Sequence, residues 1–216
     1  MSFQKNKYIV LRKIISLKLA KFITQYFLLK RKVARKLFDE RYISQFTTEF
    51  GVWNDDQVPE TYSHYSDIVM ETLLSWVQPI MEKHIGSKLS PTYSYARIYK
   101  NGDVLERHKD RFSCEVSTTM NLGGDPWPIY LDPTNTEVHL ENTPYKILGN
   151  KGIKVDLKPG DMLVYSGCEL EHWREKFQGK DCVQVFLHYN KADSKKAKEN
   201  EFDKRPHLGL PSWFKK

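Results

Sequence analysis

The sequence predicts an α+β fold, with helices first and a run of short strands after them. Two observations carry this. Apolar residues recur at helical spacing through the first third of the chain, and from Thr92 onward they fall into short runs between Gly- and Pro-containing turns. Helices followed by strands, rather than alternating with them, place the helices on one face of the sheet.

Leu11, Ile15, Leu19, Phe22, Tyr26, Leu29, Val33 and Leu37 recur at three- and four-residue steps. That spacing predicts one or two helices over roughly residues 8–40. Residues 41–62 mix polar, aromatic and Pro residues and read as a loop. Asp67 to Lys83 reads as a second helix, with Ser66 as its cap and Gly86 as its stop signal. Strands are expected at Tyr93–Tyr99, Cys114–Leu122, Pro128–Leu131, Glu137–Leu140, Ile153–Leu157, Met162–Tyr165 and Cys182–Tyr189. Asn101-Gly102, Gly123-Gly124-Asp125-Pro126, Gly149-Asn150, Pro159-Gly160-Asp161 and Gly179 punctuate them. Many short strands between such turns suggest a sandwich or barrel. The tail from Asn190 is charged, ends in an apolar Leu208–Phe214 patch, and is expected to wrap the surface. With no repeat and no Gly/Ser linker, one domain is expected: 1–90 as helical support, 91–190 as the strand core, 191–216 as the tail.

The 216 residues carry a formal charge of +7, and the excess is local. Residues 1–50 hold 12 Lys and Arg against three acids, whereas the remainder is slightly acidic. The reading preferred is an amphipathic helix with lysines solvating its outer face; docking to a nucleic acid or a membrane surface is the sharper alternative. Ile14–Leu29 is too short, and too interrupted by Lys18 and Lys21, for a membrane span. No small-residue cleavage site follows it, so no secretory signal is expected, although the basic, acid-poor start has some transit-peptide character. Cys114, Cys168 and Cys182 are few, odd in number and without C-x-x-C spacing, which points to a reducing, cytoplasmic setting.

The chemistry concentrates in Arg107-His108-Lys109-Asp110. A His and an Asp two apart in an extended segment can turn toward one point. A second histidine, His172, lies 64 residues later in Glu171-His172-Trp173. Two imidazoles and one carboxylate form the facial triad suited to non-haem Fe(II), which leaves coordination positions open; a zinc hydrolase accepts the same ligands. His64, His84, His139 and His207 lack a partner at ligand spacing and are read as structural or exposed.

The run Tyr99-Lys-Asn-Gly102-Asp-Val-Leu105-Glu-Arg-His108-Lys-Asp110 resembles the Tyr-x-x-Gly-x-x-Leu-x-x-His-x-Asp run of prolyl 4-hydroxylase-like 2-oxoglutarate oxygenases. Gly123-Gly124, and Lys158-Pro-Gly-Asp-Met-Leu-Val-Tyr165 before the distal His, extend the likeness over roughly residues 92–190. The resemblance implies a double-stranded β-helix, a jelly-roll or cupin-like core. It implies His108, Asp110 and His172 as ligands of iron(II), with 2-oxoglutarate and dioxygen as co-substrates and succinate and carbon dioxide as by-products. It also implies a basic residue after the distal His to hold the far carboxylate of 2-oxoglutarate.

Strand alternation puts Lys180, Cys182, Gln184, Phe186 and His188 on one face, with Val183, Val185 and Leu187 on the other. Lys180 is preferred as the carboxylate anchor. Arg174, two residues after His172, competes with a better-shaped fork. Tyr99 falls where the family places a Tyr on the same carboxylate, and Thr118 or Thr119 faces the co-substrate. The expected activity is hydroxylation of a C–H, on a prolyl or other residue of a peptide or protein. A small-molecule or nucleic-acid substrate is the alternative, as is a non-catalytic cupin-like binding module.

Overall fold

The computed structural model describes residues 2–44, 46–134 and 151–215. The expected strand Glu137–Leu140, the turn at Gly149-Asn150 and His139 lie outside them.

The N-terminal segment folds differently from its periodicity. Residues 8–11 are not helical. After the short α1 (Phe3–Asn6), β1 (Tyr8–Leu11) runs antiparallel to β8 (Met162–Tyr165), Tyr8 opposite Tyr165 and Leu11 opposite Met162. Aromatic and β-branched residues suit a strand, and Lys7 and Lys13, both at positive φ, bound it. The helix α2 (Leu17–Asp39) begins only where the Ser16 hydroxyl accepts from the Leu19 amide at 3.2 Å. Its packed face is Ala20, Ile23, Phe27 and Ala34. The heptad-like row Leu19, Phe22, Tyr26, Leu29, Val33, Leu37 lies to one side, half-buried or exposed.

The second helix, α3 (Ile68–Ile85), has Asp67, not Ser66, as its cap: the carboxylate accepts from the Val69 and Met70 amides. Ser66 sits at φ 55° and donates to the Leu210 carbonyl. Gly86 ends the helix in the left-handed conformation, as expected. The loop preceding α3 ends in β2 (Tyr62–Tyr65), which edges β3 (Leu89–Lys100).

Two antiparallel sheets follow, in the jelly-roll arrangement. The larger has the order β1-β8-β5-β10-β3-β2, with β5 (Ser117–Gly124) and β10 (Asp181–Lys191) central. The smaller has the order β4-β9-β6-β7, formed by β4 (Leu105–His108), β9 (Glu171–Arg174), β6 (Ile129–Asp132) and β7 (Ile153–Val155). Helices α2 and α3 cover the outer face of the larger sheet. Val183, Val185 and Leu187 join Met120, Leu122, Ile23, Phe27, Leu74 and Val77 in one buried cluster there. Glycine permits the close approach: a Cβ at Gly123 would lie 2.8 Å from the Thr24 hydroxyl of α2. The opposite faces of the strands enclose the barrel interior. The tail clamps over β3 and α3, where the buried Arg205 pairs with Glu71 at 2.8 Å.

A buried network ties α2 to the loop before α3. The Asp67 carboxylate receives Lys30 Nζ at 2.5 Å and the Tyr26 hydroxyl at 2.6 Å, and His64 Nδ1 lies 3.1 Å from it. Burial pushes the His64 imidazole below its usual range, against the pull of Asp67. The folded state therefore takes up a proton on His64 less readily than the unfolded chain, which does so below about pH 6.5. Across that window the unfolded state binds more protons, so stability falls as pH falls. The urea midpoint should drop from about pH 6.5 to pH 5, and more shallowly in His64→Gln.

Candidate metal centre

The inner faces of four strands build the site. On β3, alternation turns Tyr93, Tyr95, Arg97 and Tyr99 inward; β10 places His188, Phe186, Gln184 and Cys182 opposite them in that order. On the smaller sheet, a bulge between Leu105 and His108 breaks the alternation of β4, and both line the cavity. His108 then stands opposite His172 of β9. Asp110 follows β4 on a turn whose amide donates to the Gly167 carbonyl at 2.9 Å.

The three candidate ligands converge, with donor atoms all within 4.8 Å of one another. Asp110 Oδ1 lies 3.7 Å from His108 Nε2 and 3.5 Å from His172 Nε2. Each imidazole is oriented from behind: His108 Nδ1 lies 2.7 Å from the Glu106 carbonyl and His172 Nδ1 3.1 Å from that of Leu170. Donation from Nδ1 puts the Nε2 lone pair toward the common point. Burial, followed by the nearby His172, pushes His108 down to about 4. Burial opposes ionisation of Asp110, yet the surrounding histidines and the Ser117 hydroxyl hold it well below the carboxylate range. A neutral imidazole beside an ionised carboxylate is the state a divalent ion requires.

Ser117 fixes the other carboxylate oxygen, donating to Asp110 Oδ2 at 2.6 Å, and His188 Nδ1 stands 3.1 Å from the Ser117 oxygen. Gly167 closes the back of the turn. A Cβ there would lie 2.4 Å from both Asp110 Oδ2 and Ser117 Oγ. Gly167→Ala is therefore expected to displace the carboxylate and weaken divalent-metal binding about tenfold or more, read by calorimetry with nickel.

The cavity in front of the triad has a volume of about 260 Å³. Leu105, Ile129, Tyr165 and Phe186 supply apolar walls. From the loop before β2, Gln57 reaches in with its amide 3.0 Å from His108 Nε2, and Asp55 pairs with Arg97 at 2.6 Å.

Of the expected carboxylate anchors, Lys180 is not inward. It is exposed and precedes β10, because Asp125 captures its amide at 2.6 Å and Cys182 becomes the first interior residue of the strand. Arg174 is buried at 1% exposure. Its guanidinium donates to the Trp127 carbonyl and to Thr119 Oγ1 at 3.2 Å. Its Nε has no partner, and it forms no ion pair among the described residues. Burial depresses its pKa, with Cys182, Tyr99 and Tyr165 opposing from nearby. Tyr99 is fully buried, edge-on to Trp127. Thr118 faces the helices, where its hydroxyl accepts from the Leu187 amide; Thr119 is the inward threonine. His84 and His207 are exposed, and His64 belongs to the Asp67 network.

Of the other residues at the site, His188 lies on the face that strand alternation assigns to Cys182, and Arg97 shares the face of Tyr99; no local sequence signal marks Asp55, Gln57, Ser117 or Gly167, which approach from loops or across sheets.

The fold is a double-stranded β-helix, and it is similar to the folds of solved non-haem iron and 2-oxoglutarate-dependent enzymes. No protein-family model and no curated protein sequence matches the chain. The likeness is to solved structures. A prolyl-4-hydroxylase from Pseudomonas putida is 11% identical with a TM-score of 0.56, covering 88% of this chain and 95% of its own. HygX from Streptomyces hygroscopicus, with nickel and 2-oxoglutarate bound, is 14% identical with a TM-score of 0.59, covering 88% and 85%. SnoN, a non-haem α-ketoglutarate-dependent epimerase from nogalamycin biosynthesis, is 11% identical with a TM-score of 0.61, covering 88% and 80%.

Proposed function

We propose that this chain is an iron(II)- and 2-oxoglutarate-dependent dioxygenase that hydroxylates a substrate C–H. The observation that carries the reading is Arg174, a fully buried guanidinium with no carboxylate partner among the described residues. A buried charge left unpaired costs several kcal/mol, and a dicarboxylate reaching Arg174 from the cavity would supply the missing anion. The donor set beside it fits iron: two imidazoles and one carboxylate, each oriented by a hydrogen bond of its own. Together these meet the needs of a ligand with a keto acid at one end and a carboxylate at the other.

When bound, iron and 2-oxoglutarate supply the oxidising power that converts C–H to C–OH, with dioxygen consumed and succinate and carbon dioxide released. The residues of the chain do the rest. His108, Asp110 and His172 would hold the ion. Arg174, with Thr119 and Tyr99 beside it, binds the far carboxylate. Leu105, Ile129, Tyr165 and Phe186 keep water from the reacting centre. Gln57 must leave His108 Nε2 when that nitrogen becomes a ligand.

A C–H on a prolyl or other residue of a peptide or protein is the substrate proposed from the sequence resemblance, with a small molecule or a nucleic acid as the alternative. Succinate release from the purified protein with iron(II) and 2-oxoglutarate, screened over proline-containing peptides and then small molecules, tests the reading. Iron-dependent succinate above the substrate-free rate supports it. A protein that binds a ligand yet releases no succinate in any condition is the binding module instead.

A further inference from the structure

The outer face of α2 takes no part in the site, and its apolar residues are not all used in packing. Ala20, Ile23, Phe27 and Ala34 hold the helix to the sheet. Phe22, Leu29 and Val33 form a second row, 65%, 62% and 43% exposed. At steps of seven and four residues they share one side of the helix and span roughly 16 Å. Lys18, Lys21, Lys32 and Lys36 are exposed beside them, and no acid interrupts the sequence from Leu17 to Phe38. Arg35 and Lys36 pair with Asp39 and Glu40 at the helix end. Lys18, Lys21 and Lys32 form no ion pair among the described residues.

We propose that this face docks the protein on an anionic lipid bilayer, with Phe22, Leu29 and Val33 entering the interface and the lysines meeting lipid phosphates and carboxylates. Charge selects this occupant. A second copy laid along the same row brings lysine against lysine, which opposes pairing. A nucleic acid satisfies the lysines, and a base could stack on Phe22, but it offers Leu29 and Val33 nothing. A bilayer surface takes both at once. No helix among the described residues is long and apolar enough to cross a membrane, so the contact is interfacial. Because α2 lies on the outer face of the larger sheet, the bound protein keeps its barrel interior clear of the lipid.

The test is co-sedimentation of the full chain with phosphatidylcholine vesicles, alone or with about 30% phosphatidylserine. Binding to the mixed vesicles is expected to exceed binding to neutral ones by about tenfold or more, and to weaken as salt rises. The triple variant Phe22→Gln, Leu29→Gln, Val33→Gln should lose about tenfold of that binding. The variant Lys18→Gln, Lys21→Gln, Lys32→Gln should lose roughly fivefold for each lysine removed. All six positions are exposed, and an unchanged thermal midpoint shows that each variant folds. Absent binding, equal binding to neutral vesicles, or binding unchanged in either variant overturns the proposal. So does a dimer in sedimentation velocity that the apolar variant dissolves, which assigns the row to a second copy.

Discussion

Arg174→Met is expected to raise the 2-oxoglutarate concentration needed for half-maximal turnover by about 100-fold or more, while leaving the ligand-free protein close to its original stability. The two effects separate for a physical reason. In the ligand-free protein the guanidinium has a carbonyl and a hydroxyl as partners but no anion among the described residues, so its desolvation is poorly compensated. Removing it relieves several kcal/mol of that penalty and gives up two charge-assisted hydrogen bonds of about 1.5–3 kcal/mol each. These nearly cancel. With a dicarboxylate present, the same guanidinium has its counter-charge, and truncation costs about 2–5 kcal/mol of binding. Lys180→Ala should change the requirement by less than about twofold, since its side chain lies in solvent, where single ion pairs contribute about 1 kcal/mol at most. Titrating 2-oxoglutarate against turnover, with a urea melt of each ligand-free variant, checks both halves. The reverse ranking returns the carboxylate to Lys180.

Asp110→Asn and His172→Ala are each expected to abolish turnover and to weaken divalent-metal binding by two orders of magnitude or more. Asparagine keeps the shape of Asp110 and removes the only anion among the three ligands, so the loss reports charge, not packing. His172 is buried between Tyr165 and His108, with ring centroids 4.6 and 4.2 Å away. Its truncation also opens a cavity, so some loss of stability accompanies the loss of metal. Calorimetric nickel titration beside a thermal melt distinguishes the two variants. Full activity in either removes the triad assignment.

How far the sequence was legible follows from where its signals are local. His108-x-Asp110 and the later His172 stand out because ligand chemistry restricts residue type. The alternation of Cys182–Tyr189 was readable because one face is a pure Val-Val-Leu row, and that row does pack under the helices. The Lys180 expectation had the correct parity and failed at the strand boundary, where a loop carboxylate from Asp125 decides which residue enters the sheet first. Thr118 and Thr119 differ by one step, and only pairing with β10 settles which faces inward. The N-terminal row misled differently. Leu19, Phe22, Tyr26, Leu29 and Val33 form a regular apolar row, yet the fully buried positions of α2 are Ala20, Ile23, Phe27 and Ala34, with Leu19 and Tyr26 packed at their edge and Thr24 lying against Gly123. Periodicity announces a helix; it does not say which of two apolar sides the core selects.

The most direct test of the central claim is calorimetric titration of 2-oxoglutarate into the nickel-loaded and metal-free protein. The site predicts binding with a stoichiometry of about one in the loaded protein, weakened at least tenfold without metal and again in Arg174→Met. Failure of the loaded protein to bind 2-oxoglutarate, or equal binding with and without the metal, contradicts the account.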